Sequence, residues 1–215
     1  MKKYLYLYVV AFSAAIISSV TIYALADILD VLVMTLTRDP YRAAKAPPYY
    51  GYISQIGSTI WLITGTATLT TALIARKALS CRVSDLSPYR IILLGGIIGL
   101  FMALDDILLF HDEYADILGI PEILFHLFYG AYMLSLIVYS RNVLRLTPWL
   151  LFFSALFCFA CSSVVDEILY APTGGNLSET ENVFKFCGVV LFAFYFLYVS
   201  WDFISKYDTS KQSNT

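Results

Sequence analysis

The sequence predicts an all-α fold: a polytopic membrane helical bundle of six transmembrane helices with both termini cytoplasmic. Three observations carry this. The chain of 215 residues is 59% hydrophobic and only 14% charged, with a mean hydropathy of +0.71, whereas a soluble domain has roughly 45–50% apolar and about 25% charged residues. Six stretches reach the length of about 20 mostly apolar residues that a bilayer-spanning helix needs. Lys and Arg are also unevenly shared between the loops on the two sides.

The spans run over Tyr4–Leu29, Tyr52–Ala75, Ile91–Phe110, Glu122–Ser140, Pro148–Tyr170 and Asn182–Phe203, each bounded by charge, Pro or Gly. They leave almost nothing for a soluble domain, so residues 1–215 read as one transmembrane domain. Lys2-Lys3, an apolar run and then Ala24-Leu25-Ala26 also fit a secretory signal. The apolar run exceeds the usual 7–15 residue core of such a signal, which favours a retained first helix. With the N-terminus inside, cytoplasmic segments collect Lys2, Lys3, Arg76, Lys77, Arg82, Arg90, Arg141, Arg145, Lys206 and Lys211, which is 10 of the 14 basic residues. Loops rich in Lys and Arg stay cytoplasmic. Localisation to a bacterial inner or plasma membrane follows, with membrane lipids as surroundings. A net charge of −2 excludes a nucleic-acid partner, which needs a basic face to displace counterions.

The acids then fall on one side. Asp85, Asp202 and Asp208 are cytoplasmic, and the other thirteen, with both histidines, fall on the outer half or in outer loops. Asp105, Asp106 and Asp166 lie inside apolar segments, where a carboxylate costs about 2.5–3.5 kcal/mol. In the third span, Gly95, Gly99 and Ala103 form a small-residue stripe that invites a neighbouring helix. Asp106 lies about 20° from Gly95 around the helix and is expected to point inward, with Asp105 on a neighbouring stripe. The fifth span places Ala155, Ser162 and Asp166 on one face, with Glu167 one position round. Pro121 starts the fourth span, setting Glu122 and His126 one turn apart. In the first span Asp27 and Asp30 also read as one turn apart, and His111 falls on the far side of its helix. The hydroxyls of the Ser- and Thr-rich second span can bond to neighbouring helices or line a wet path, and packing is the chief reading.

Asp106, Asp166 and His126, helped by Asp105, Glu122, Glu167 and His111, are expected to converge in one pocket opening outward. Asp106 and Asp166 are the candidate catalytic acids. So many acids in low dielectric call for a divalent metal, retained protons or compensation from Lys185. Zinc, iron or manganese suits carboxylate and imidazole ligands, and a Lewis acid beside the bilayer surface suits a lipid-like substrate. Two other classes stay open: a non-catalytic scaffold or accessory subunit, and a cation or proton pathway. Cys158-Phe159-Ala160-Cys161 is a C-x-x-C buried mid-helix without outer partner cysteines, and reads as packing.

The run Leu104-Asp105-Asp106, four residues, then His111-Asp112-Glu113, followed by Asp166-Glu167 and Glu181-Asn182-Val183-Phe184-Lys185, resembles a family of uncharacterised small bacterial multi-pass membrane proteins, over most of the chain from about residue 90. That resemblance implies the architecture and attaches no activity. A looser likeness is to zinc-dependent intramembrane hydrolases of the alkaline ceramidase and adiponectin receptor type. They use three histidines, whereas this chain has 2 and lacks their H-x-x-x-H pair, so carboxylates would have to replace a histidine.

The topology has a direct test. In a background lacking Cys81, a membrane-impermeant thiol reagent added outside should label Gly174→Cys and spare Ser84→Cys. The reverse pattern would overturn the side assigned to every acid.

Overall fold

The computed structural model describes residues 2–37, 50–79, 87–108, 110, 117, 119–121, 123–165 and 178–212. These residues form seven α-helices and, among them, no strand. The helices are α1 (Leu5–Ile28), α2 (Val33–Thr37), α3 (Tyr52–Leu79), α4 (Ser87–Leu108), α5 (Ile123–Leu144), α6 (Trp149–Val164) and α7 (Ser178–Gln212). Five of them, α1, α3, α4, α5 and α7, are long and apolar enough to cross a membrane. The expected fifth span corresponds to α6, whose 16 described residues fall short of the about 20 a span needs. Residues 166–170, the rest of that expected span, lie outside the described residues.

Local chemistry sets the helix ends. At the end of α1, Val31 N–H donates to Ala26 carbonyl at 3.0 Å and Asp30 N–H to Asp27 carbonyl at 3.1 Å, while Asp30 turns left-handed at φ 52°. This is the Schellman arrangement, and Asp is among the few non-glycine residues that tolerate it. Asp30, expected one helical turn after Asp27, therefore lies past the last turn of α1, and both are exposed. Pro88 occupies the first turn of α4, where its missing N–H costs nothing. Pro148 separates α5 from α6, since its ring would clash with a continuing helix.

The chain divides into two compact units, Met1–Ile60 with Leu150–Phe192, and Trp61–Trp149 with Ala193–Thr215. In the first, α1 turns Ala11, Ala15, Ile22 and Ala26 inward at helical spacing and leaves Tyr6, Ile16, Ile17 and Val20 exposed. Small residues inside and large apolar ones outside reverse the pattern of a water-soluble helix, and suit one whose outer solvent is lipid. Cys187 of α7 sits 2.9 Å from the Ser19 hydroxyl of α1 in this unit. Cys158 and Cys161 are free, half-buried thiols.

The second unit is built on backbone proximity. A Cβ placed on Gly65 of α3 would lie 2.5 Å from the backbone nitrogen of Leu100, and one on Gly96 of α4 would lie 2.6 Å from that of Leu69. The two helices thus cross antiparallel with no room for a side chain between them. Gly95, the head of the expected stripe, instead accepts the ring of Phe196 from α7. Trp61, Ile91, Ile92, Ile98, Leu136 and Tyr195 complete this core. The Ser and Thr residues of α3 divide in use. Ser58, Thr59 and Thr71 bond back to carbonyls four residues earlier, at 3.0, 2.7 and 2.9 Å, which for the buried Ser58 and Thr71 is a local solution to burying a hydroxyl.

Gly65→Val should destabilise the protein by at least about 1–3 kcal/mol, the usual cost of overpacking, and lower its thermal midpoint in detergent. Gly130→Ala, where an added Cβ meets nothing within 4 Å, should be neutral or stabilising, because Ala is the better helix former. Equal tolerance of both would contradict the crossing.

Candidate functional site

α4 and α5 pack against each other within the second unit. Both are apolar, yet α4 carries Asp105-Asp106 in its last turn and α5 carries His126, Tyr129 and Tyr132 three residues apart along one side. That spacing keeps the three polar tips on neighbouring positions of one face. Tyr132 donates to the carbonyl of Leu94 at 2.9 Å. Tyr129 donates its hydroxyl to Asp105 Oδ2 in a short hydrogen bond.

Asp105 is the buried acid, with 1% of its surface exposed, while Asp106 is half-buried. The inward position that the glycine stripe assigns to Asp106 is thus held by its neighbour, one position round the helix. The physical reason lies in the helix crossing. Besides the glycines that α4 turns to α3, it buries Ile91 and Ile98, 0% and 1% exposed, and Asp105 continues their seven-residue spacing on the side where Tyr129 of α5 meets it. Asp106 remains close enough for its charge to act on the Tyr129 hydroxyl. His126 is half-buried one turn before Tyr129.

Tyr129 is the residue that sequence reasoning missed. The available signal is its phenol inside an apolar helix, since a buried Tyr hydroxyl usually finds a partner, and its place one turn from His126. The magnitudes explain the pairing. Inserting a carboxylate costs about 2.5–3.5 kcal/mol, and a hydrogen bond to a charged group returns about 1.5–3 kcal/mol. Phe101, 5.6 Å from the Phe128 ring and 6.1 Å from the Tyr129 ring, surrounds the pair with apolar surface. In such surroundings the bond is stronger than it would be in water.

Of the expected cluster, Asp105, Asp106 and His126 are described, and His111, Glu122, Asp166 and Glu167 lie outside the described residues. Among the described residues, no group of three or more His, Cys, Asp or Glu side chains is arranged to hold a metal ion. What the described part provides is a buried carboxylate oriented by a phenol, with a second acid adjoining it and an imidazole one turn from the phenol.

Tyr129→Phe should lower stability by about 1.5–3 kcal/mol, because it withdraws a donor from a charged group. In a double-mutant cycle with Asp105→Leu the coupling energy should be about 0.5–3 kcal/mol. Strictly additive losses in detergent unfolding would show that the bond carries no weight.

Comparison with known proteins adds membership without activity. No curated protein and no solved structure matches the chain. A family model described as a domain of unknown function (DUF8692) matches residues 5–199, from the first residue of α1 to well inside α7. With all five long apolar helices reached by that match, the chain belongs to the DUF8692 family.

Proposed function

We propose that this protein is a multi-pass enzyme of the cell membrane, both termini cytoplasmic, in which the Asp105–Tyr129 pair anchors a divalent-metal site at the outer face that acts on a lipid-like substrate. The observation that carries the reading is a carboxylate almost wholly removed from solvent in the last turn of an apolar helix, held by a phenol from the next helix. Ionisable groups placed so within spans are rare and mark functional pathways or sites. A scaffold or accessory subunit needs no such group.

Tyr129 acts here as the positioning residue: it fixes the orientation of the Asp105 carboxylate, as outer partners do for ligating groups. Asp106 and His126 supply an oxygen and a nitrogen donor of the kinds that zinc, iron and manganese accept. Asp105, Asp106 and His126 do not by themselves form a metal-holding group, and the reading assigns further ligands to Glu122, four residues before His126 in the sequence, and to Asp166, Glu167 and His111. When bound, a divalent metal supplies a Lewis acid and an activated water. The substrate class follows from position, because a site at the end of a span meets lipid head groups laterally.

Metal analysis of the purified full-length protein tests the reading. Stoichiometric zinc, iron or manganese is expected, and Asp106→Asn and His126→Ala should each lose it while the protein stays monodisperse and helical. Wild-type protein without metal, together with variants of unchanged stability, would leave the scaffold reading in its place.

A further inference from the structure

Three helices of the second unit, α3, α4 and α5, bring arginines to the same end, and the contacts that seat these helices fix their heights. Leu69 of α3 meets Gly96 of α4. Arg76, seven residues past Leu69, therefore stands level with Tyr89 and Arg90, six to seven residues before Gly96. Arg76 also lies within about 20° of Gly65 and Leu69 around its axis, on the side of α3 that touches α4. The Phe101 ring of α4 is 5.6 Å from the Phe128 ring of α5, and the Tyr129–Asp105 and Tyr132–Leu94 bonds make these two helices antiparallel. Arg90 precedes Phe101 by about 16 Å along the axis and Arg141 follows Phe128 by about 20 Å, with Arg145 one turn further. All four arginines are exposed, and none of their guanidinium groups has an ion pair or hydrogen bond among the described residues. The acids described in this unit are Asp105 and Asp106, at the other end of α4, and Asp202 of α7. At most one described carboxylate thus offsets four positive charges.

The arginines stand where the apolar surface ends. The apolar run of α3 closes at Arg76 and that of α4 opens at Tyr89. Around α4, Arg90 lies within about 20° of Ile97 and Phe101 and about 40° of Leu104, and those three apolar side chains are exposed. They form a strip bordered by α3, which meets Gly96, and by α5, which meets Phe101. The distance of about 16 Å from Arg90 to Phe101 matches one leaflet's half of a hydrocarbon core about 30 Å thick. An acyl chain laid on this strip brings its head group to Arg90 and Arg76.

We propose that Arg76 and Arg90 bind the phosphate of an anionic phospholipid, of which phosphatidylglycerol is a simple example, with an acyl chain along Ile97, Phe101 and Leu104. The guanidinium fork matches phosphate oxygens in pairs, and a basic pocket between spans suits such a head group. A zwitterionic lipid carries its own ammonium beside the phosphate, so it gains less from arginines that lack an acid. Arg141 and Arg145 raise the local potential. The site lies at the opposite end of α4 from the Asp105–Tyr129 pair and does not depend on what binds there.

The test is lipid binding to the purified, delipidated full-length protein in a neutral detergent, read by native mass spectrometry and by the thermal midpoint. Dioleoyl-phosphatidylglycerol should bind about thirtyfold more tightly than dioleoyl-phosphatidylcholine, a factor of about five for each arginine, and should raise the midpoint saturably. Arg76→Gln with Arg90→Gln should bring the two lipids level, whereas Lys3→Gln, in the first unit, should keep the preference. If the double variant fails to fold, Ile97→Trp carries the test: it crowds the strip, leaves both arginines in place, and should weaken phosphatidylglycerol binding several-fold. Equal affinity of wild type for the two lipids, a preference that survives the loss of both arginines, or Ile97→Trp binding like wild type overturns the proposal. Inorganic phosphate that raises the midpoint as phosphatidylglycerol does would assign the arginines to a soluble anion and overturn it as well.

Discussion

The contact on which the second unit depends is the approach of two backbones, α3 and α4, at Gly65, Gly96 and Gly99. In lipid there is no hydrophobic drive to press one apolar helix against another, so association rests on van der Waals packing and hydrogen bonds. Glycine supplies the first by removing the side chain that would hold the helices apart. The second follows from the first. Once α4 is seated against α3, the angle at which it presents its last turn is set, and Asp105 becomes the acid that must find a partner inside the protein.

That partner comes from α5, and the arrangement distributes polarity unevenly. Asp105 is bonded by Tyr129, and Tyr132 satisfies a carbonyl of α4 one step further in. Aromatic rings from both helices close around the pair. A carboxylate in such a setting keeps its charge only with donors directed at it, so the phenol and the acid act as one group.

The first unit handles the bilayer differently. α1 exposes its large apolar side chains and buries alanines, and its end is closed by backbone hydrogen bonds around a left-handed Asp30. Here polar chemistry is confined to satisfying the chain itself. The Ser19–Cys187 contact joins two small polar groups without charge, and Cys158 and Cys161 of the C-x-x-C elsewhere in this unit are free thiols.

Composition, apolar run length and capping residues were enough to determine from the sequence that the chain is helical and apolar, and where α1, α3, α4 and α5 lie to within about four residues, whereas α7 runs on past the expected end at Phe203 to Gln212. These are local properties: a helix in lipid satisfies its own backbone, so its existence does not await a neighbour. The sequence also singled out Asp105 and Asp106, with Asp166, as acids that an apolar segment does not hold without reason. It did not determine which acid is buried, because a rotation of one residue around α4 depends on the glycine contacts of another helix. Nor did it show Tyr129, since a tyrosine in an apolar run has the same local signature whether it faces lipid or a carboxylate. The same holds for the threonines of α3: their i−4 carbonyls are equally near in sequence, and only the tertiary packing separates Thr71, bonded to its own helix, from Thr64 and Thr68, which are buried without a hydrogen-bond partner among the described residues.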